Sequence, residues 1–414
     1  MSTVTLHSEK KKKLVPKLRF KEFNNEFALK KFGSLGEFKG GGTPSTTNEK
    51  HWKGNIPWIS SSDIYDGNLH EINIHRFLNE DAVKESATKI IPANSILLVS
   101  RVGVGKLAIN KIELCTSQDF CNFIPNKCNS YFVGYFLIAK KQILVNFSQG
   151  TSIKGFTIGD IKTLPIIIPS LPEQQKIASF LSAVDEKIQQ LSRKKELLEK
   201  YKKGVMQKLF SGKLRFKDDN GEDYPDWEEK KLGEVANRVV RKNKENNLNV
   251  LTISAQLGLV SQLEYFNKSV SAKDVTKYYL LEKNDFAYNK SYSNGYPMGA
   301  IKRLKKYEKG VVSTLYICFC FNNMVSLNYM EQYFEFGLHN KEIEKVAQEG
   351  ARNHGLLNIG VNDFLNISLT IPSFQEQQKI ANFLSGIDTK IESTNKQITQ
   401  TQTFKKGLLQ QMFV

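Results

Sequence analysis

The sequence predicts an α+β protein built from two mixed, strand-rich domains in pseudo-twofold arrangement. Two long helices join and separate them and form an intramolecular antiparallel coiled coil. Three observations predict this. One segment recurs once at a constant offset, both copies carry heptad spacing, and the stretches between them hold short apolar runs punctuated by Gly, Pro, Asn and Ser.

The repeat comes first. Glu173-to-Ile188 reads EQQKIASFLSAVDEKI and Glu376-to-Ile391 reads EQQKIANFLSGIDTKI, with 12 of 16 positions identical at an offset of 203. The same offset carries Tyr201-to-Phe210 onto Phe404-to-Phe413, and Asp160 onto Asp363. Upstream the copies diverge, although Lys17-to-Lys21 (KLRFK) recurs as Lys213-to-Lys217 and Leu35-Gly36-Glu37 as Leu232-Gly233-Glu234. A period near 200 residues is too long for a solenoid and implies a duplicated domain. The boundaries read as a basic N-terminal segment at 1–19, a first domain at 20–170, a helix at 171–212, a second domain at 213–372 and a second helix at 373–414.

The repeated segments are helical. Each follows a Pro-Ser start, where the missing proline N–H would lack a helical partner anyway. In the first, Ile177, Leu181, Val184, Ile188, Leu191, Leu198, Val205 and Leu209 follow 4-3 spacing, with Lys195 and Lys202 in the remaining slots. In the second, Ile380, Leu384, Ile387, Ile391, Ile398, Leu408 and Met412 repeat the pattern, with Thr394, Thr401 and Lys405 as polar slots. Such a stripe is a coiled-coil seam, and a helix of ~38 residues is roughly 57 Å long. Polar seam positions that differ between partners fix register at a cost in stability. The other packing open to these helices is each against its own domain.

Between the helices, Ile90-to-Arg101 and Leu164-to-Ile168 read as strands of the first domain. Asp285-to-Tyr288, Val311-to-Phe321 and Ile367-to-Ile371 do so in the second. Loops rich in Gly, Ser, Asn, Lys and Arg lie at Gly40-to-Ser45, Trp58-to-Asp63, Arg101-to-Lys106, Gly150-to-Lys154, Tyr288-to-Tyr296 and Gly350-to-Gly355. Asn, Gln, Ser and Arg suit base edges, while Lys, glycine backbone and Tyr suit phosphates and sugars. Ordinary turn chemistry accounts for the same composition.

Charge narrows the function. The 414 residues are 40% hydrophobic and 24% charged, a globular balance, and the formal net charge is +17. That excess favours a polyanionic partner, nucleic acid before membrane. Only nine of the 59 basic residues are Arg, so most of the charge serves affinity for phosphates and little serves base choice. No run of 18 apolar residues exists, and the Lys10–Lys13 run has no apolar stretch after it, so neither a membrane span nor a secretory signal is expected. Five cysteines, Cys115, Cys121, Cys128, Cys318 and Cys320, show no CxxC spacing and read as reduced thiols of a cytoplasmic protein.

Enzyme signatures fail in turn. Gly103-Val104-Gly105-Lys106 lacks the phosphate-loop spacing. Pro225-Asp226 with Glu228-Glu229-Lys230 holds the letters of a metal-dependent nuclease site, but leaves no room for the turn that would bring the carboxylates together. None of the six histidines has ligand spacing, and His70 and His75 read as surface residues. No catalytic residue and no metal site is assigned.

The chain resembles the DNA specificity subunit of type I restriction-modification systems. Gly41-to-Ile64 (GGTPSTTNEKHWKGNIPWISSSDI) is similar to the opening of that family's target-recognition domain, and Trp227-to-Val235 (WEEKKLGEV) to the start of the second. Ile168-to-Ala178 (IPSLPEQQKIA) and Ile371-to-Ala381 (IPSFQEQQKIA) resemble the signature where each domain runs into its helix. Phe20-to-Phe38 departs by lacking the tryptophan of the second copy, which should affect packing more than function.

The resemblance implies two target-recognition domains, each reading one half of a split, asymmetric site in double-stranded DNA. It implies a helix pair that sets the unspecified gap and docks two methyltransferase subunits. Two motor-nuclease (restriction) subunits complete the complex. S-adenosylmethionine, ATP and Mg are then expected on the partner subunits, with no cofactor on this chain and no membrane partner. An orphan DNA-binding subunit without a nuclease, or a coiled-coil adaptor that binds protein, are the alternatives.

Residue type and loop placement nominate Ser60, Ser61, Arg101, Ser152 and Lys154 for base or near-base contact in the first domain. Asn289, Lys290, Ser291, Tyr292, Arg352 and Asn353 are nominated in the second. The helix seam and subunit-docking set is Ile177, Leu181, Val184, Ile188, Ile380, Leu384, Ile387 and Ile391.

Two predictions follow from residue type and helix length. Arg352→Ala costs ~1–3 kcal/mol of binding and relaxes one base of the second half-site only; an unchanged methylation motif in the variant would refute it. Inserting about four residues near Lys195, close to one helical turn, lengthens the gap without altering either half. Altered half-sites would show that the helices do not set the spacing.

Overall fold

The computed structural model describes residues 14–147, 155–266, 274–347 and 357–414. The chain divides into two compact units. One comprises Met1–Lys194 with Thr394–Val414, the other Lys195–Ser393. Each unit therefore takes one strand-rich domain with part of each long helix, Leu171–Phe210 and Phe374–Met412. The division falls within the helices rather than at their ends.

Both units use one frame. In the first, four antiparallel strands lie in the order Gly36–Gly40, Phe120–Pro125, Ile96–Val99, Leu107–Ile109. In the second, Ala236–Arg238, Ile317–Phe321, Phe286–Asn289 and Ala300–Arg303 repeat that order. A two-stranded ribbon flanks each sheet, Ala28–Lys31 with Pro165–Ile168 and Glu228–Lys231 with Ser368–Ile371. Ala28 faces Ile168 and Glu228 faces Ile371, so the register is also shared. The units differ in their second layer. The first has another four-stranded sheet, ordered Arg76–Leu78, Ile56–Ile59, Leu114–Thr116, Ile90–Ile91. The second has two antiparallel strand pairs, Leu251–Ser254 with Gly258–Ser261 and Tyr279–Glu282 with Lys309–Val312.

The register corrects part of the sequence alignment. Phe32 N–H donates to Leu164 O at 2.8 Å and Leu232 N–H to Ile367 O at 3.0 Å, so Leu232 matches Phe32 rather than Leu35. Phe27 then stands where the second unit has Trp227, and it is buried in the first core. Val311-to-Phe321 is not one strand. Tyr316 N–H turns back onto Ser313 O at 3.1 Å, and the Ser313 hydroxyl accepts from Leu315 N–H at 3.3 Å. The local side-chain bond competes with the ladder and splits the apolar run. Ile90-to-Arg101 breaks likewise at Asn94, whose φ of 62° interrupts an extended chain.

The EQQ motif has a physical explanation. Glu173 and Glu376 lie in the first turn of the long helices, where a carboxylate suits the helix dipole. Both are buried, at 1% and 0% exposure. Arg19 Nε and Nη2 donate to the Glu173 oxygens at 2.7 and 2.8 Å, and Arg215 grips Glu376 at 3.2 and 2.8 Å. These are the arginines of the repeated KLRFK. Residues 14–19 thus join the first unit, and Leu18 N–H donates to Gln411 O at 2.9 Å. The next residue staples a shorter helix. Gln174 Oε1 accepts from Asn129 N–H at 2.9 Å, and Gln377 Oε1 from Ser326 N–H at 2.8 Å. Those amides precede the buried helices Ser130–Ala139 and Leu327–Phe336.

The apolar stripes serve two neighbours at once. Ile177, Leu181 and Val184 share a core with Leu408 and Met412 of the second long helix, with Phe413 just after it, and with Phe132 and Phe136 of the domain. Ile380, Leu384 and Ile387 share theirs with Val205, Met206 and Leu209 of the first long helix and with Tyr329 and Tyr333. In each unit the early part of one long helix meets the late part of the other, so the helices run antiparallel. Ile188 and Ile391 are half-buried at the fringes of these cores. All five cysteines are free, and three are buried. His75 is exposed, but His70 is not a surface residue. Its Nε2 sits 3.1 Å from the Tyr135 hydroxyl and 3.4 Å from Asp185.

His339 is 1% exposed, lies edge-on to Phe334 and has no hydrogen-bond partner on either ring nitrogen among the described residues. Burial depresses its pKa from 6.5 to about 3. The unfolded chain takes the proton near pH 6.5 and the folded chain refuses it, so this site costs stability as pH falls from 6.5 towards 3. His339→Phe should flatten the acid limb of stability; thermal unfolding of both proteins from neutral pH to about pH 5 checks it.

Candidate nucleic-acid interface

In the first unit three of the loops picked out in the sequence, those at Gly40-to-Ser45, Trp58-to-Asp63 and Arg101-to-Lys106, meet at the turn Ser117–Asp119. Gly42 N–H donates to Thr116 O at 2.8 Å, Ser117 N–H to Ile59 O at 2.9 Å, and Ser100 N–H to Asp119 O at 2.7 Å. A side chain at Gly41 would meet Ser117 O at 2.1 Å, so only glycine allows this approach. The Thr43 hydroxyl donates to Gln118 Oε1. Gly155 packs so closely that an added Cβ would lie 2.8 Å from Ser100 O, and Phe156 N–H donates to that oxygen at 3.2 Å. Gly155 and Phe156 therefore lie against Ser100 and Arg101. Ser152 and Lys154 themselves lie outside the described residues.

Individual side chains sort differently. Arg101 is exposed at the end of strand Ile96–Val99, beside the Gly103 and Gly105 turn, where φ is 98° and 86°. Ser60 is half-buried and committed: its hydroxyl accepts from Arg76 at 2.8 Å and its N–H donates to Asp63 at 2.6 Å. Arg76 also pairs with Asp63 and stacks 4.5 Å from Trp58, which braces the loop. Ser61 is buried, so Ser62 is the exposed serine of that triplet. Ser62, Arg76 and Gln118 were not nominated from sequence. Nothing local distinguishes three successive serines, and Gln118 becomes visible only once its turn is known to gather the loops.

The second unit repeats the junction. Leu357 N–H donates to Lys290 O at 3.0 Å, and Lys290 Nζ to Ile359 O at 3.5 Å. Leu357 and Ile359 therefore lie against Lys290, while Arg352 and Asn353 lie outside the described residues. Asn289 and Ser291 are half-buried and tied together, with Ser291 N–H donating to Asn289 Oδ1 at 3.1 Å. Tyr292 is 64% exposed and leads into a tight turn closed by Tyr296 N–H to Ser293 O at 2.8 Å. Gly295, with φ 84°, completes that turn and leaves Asn294 exposed at its tip. The Asn-Gly pair is the signal that marks this tip in the sequence.

One cavity of the second unit differs from these rims in that its lysines are ion-paired. Around a cavity of about 550 Å³ in the second unit, Lys302 pairs with Glu335, Lys305 with Glu331 and Lys306 with Glu264. Those cations are already matched by carboxylates. Among the described residues no group of three or more His, Cys, Asp or Glu could hold a metal ion, and no helix is long and apolar enough to cross a membrane. The rims offer hydroxyls, amides, an aromatic ring and a guanidinium, a set suited to hydrogen bonding along a nucleic-acid groove.

Comparison with known proteins agrees with the duplication. A family model described as type I restriction modification DNA specificity domain matches residues 24–200 and again 224–402. The type I restriction enzyme MjaIX specificity subunit of Methanocaldococcus jannaschii is 35% identical over 224 residues, 51% of this chain and 51% of that one, so the match spans about half the relative's length. The MjaVIII specificity subunit of the same organism is 24% identical over 411 residues, 93% of this chain and 91% of that one. The crystal structure of a type I restriction-modification system S subunit from M. genitalium matches with a TM-score of 0.61 at 18% identity, covering 97% of this chain and 99% of that one. That last likeness is one of fold.

Proposed function

The chain belongs to the type I restriction modification DNA specificity family, and on that premise we propose that its two domains read the two halves of a split, asymmetric DNA site. The observation that carries this reading is the duplicated rim. One frame, with one strand order and one ribbon register, supports two loop sets of different sequence. A shared frame gives the two rims the same role, and unlike loops give them unlike targets.

Affinity comes from the lysine excess and base choice from the rims. Release of counterions on phosphate contact makes such binding steeply salt-dependent, with a log–log slope of about −0.9 per phosphate. Arg101 in the first domain, and Tyr292 with its Asn289–Ser291 neighbours in the second, reach base edges together with Ser152, Lys154, Arg352 and Asn353. The antiparallel long helices hold the two readers at one spacing. DNA rises ~3.4 Å per base pair, and a 40-residue helix of ~60 Å is commensurate with two half-sites separated by a short gap. The same helices dock two methyltransferase subunits, which bring S-adenosylmethionine, and two motor-nuclease subunits bring ATP and Mg.

Co-expression with the methyltransferase subunit, in a host without adenine methylation, tests the reading by single-molecule sequencing. The expected outcome is one split, asymmetric motif methylated on both strands. Failure of the two proteins to co-purify, together with DNA binding that ignores salt, would favour a protein-binding adaptor instead.

A further inference from the structure

Lys202 and Lys405 stand where the apolar stripes should continue, and they are 203 residues apart. Lys405 Nζ lies 2.6 Å from Asp185 Oδ1, and Lys202 Nζ lies 2.7 Å from Asp388 Oδ1. The two aspartates are also 203 apart. The pairing is therefore reciprocal. The first long helix supplies the aspartate in one unit and the lysine in the other.

The second carboxylate oxygen accepts a hydrogen bond from the domain in both, and in the first unit His70 Nε2 also lies 3.4 Å from it. The Tyr135 hydroxyl donates to Asp185 Oδ2 at 2.8 Å, and Gln332 Nε2 donates to Asp388 Oδ2 at 2.8 Å. Tyr135 and Gln332 occupy the same, sixth position of the helices Ser130–Ala139 and Leu327–Phe336. Each aspartate thus joins its own long helix, the other long helix and its domain. The two donors differ in chemistry yet reach the same oxygen, so geometry is kept where sequence is not.

These junctions are largely withdrawn from water. The side chains of Asp185 and Lys405 are 9% and 12% exposed, and those of Lys202 and Asp388 are 16% and 34% exposed. A half-buried lysine that loses its partner is left uncompensated, so a slipped helix pair is penalised far more than an all-apolar seam would penalise it. Slippage by one helical turn moves one helix ~5.4 Å along the other, more than the ~3.4 Å rise of a base pair.

We propose that the Asp185–Lys405 and Asp388–Lys202 pairs are positioning residues for gap length: they lock the register of the two long helices and thereby decide how many unread base pairs separate the half-sites. This rests on the reading that the helices hold two half-site readers. It goes beyond that reading by naming the side chains that discriminate one spacing from its neighbours.

The test uses the full chain in complex with its methyltransferase subunit. Duplexes carrying both half-sites at the native gap, one base pair shorter and one longer, are compared by methylation rate. Removing both charges together, Lys202→Met with Asp388→Asn, should lower the preference for the native gap about tenfold, the size of coupling expected between contacting residues, with the methylated bases of each half unchanged. Lys202→Arg, which keeps the charge, should retain the preference. If the first pair of substitutions prevents assembly, Lys405→Met with Asp185→Asn provides the same measurement in the other unit. Undiminished gap preference in an assembled double variant overturns the proposal while leaving the split-site reading intact. A wild-type complex without a split site overturns the reading itself and the proposal with it.

Discussion

A buried carboxylate at the first turn of each long helix is the constraint on which the rest of the structure depends. Glu173 and Glu376 are almost wholly removed from water, a position that breaking a partner would make costly by about 3–5 kcal/mol. Arg19 and Arg215 remove that cost with two-pronged hydrogen bonds. Each arginine precedes its domain in the chain and each glutamate follows it, so the pair closes every domain onto its own exit helix. The neighbouring glutamine then fixes the buried helix of the domain to the same turn. Two adjacent residues of one motif thus orient the frame from which the rim loops project.

That frame separates what is held constant from what varies. The four-stranded sheet, the ribbon and the buried helix are equivalent in both units, while the second layer is a sheet in one and two strand pairs in the other. The rim lies where constant strands end and variable segments begin, at Val99–Arg101 in one unit and Asn289–Ser291 in the other. Loops there can change residues without disturbing the core, which suits surfaces that discriminate between targets.

Much of this was legible in the sequence. The offset of 203 exposed the duplication, and the 4-3 stripe exposed the long helices. The resemblance to specificity subunits rested on the same EQQKIA segments that bind the arginines. What was not legible depended on long-range contacts. His70 looked like a surface histidine in a polar stretch, because its partners Tyr135 and Asp185 are 65 and 115 positions away. Leu35 and Leu232 both precede Gly-Glu, but backbone pairing to Leu164 and Ile367 makes Phe32 the counterpart of Leu232. Ser61 shares its residue type with exposed Ser62, and only the turn around Asp63 turns one inward. Val311-to-Phe321 kept apolar character on both sides of a break, so hydropathy alone could not find the Ser313 turn.

Each domain is proposed to read its half-site by itself from a common frame. The most direct measurement is the methylome of a chimera in which residues 27–168 are replaced by 227–371, so that the second domain occupies both positions. The expected result is a symmetric motif, the second half-site and its inverted repeat, at the native gap. A motif that still contains the first half-site, or one whose halves remain unlike, would contradict it.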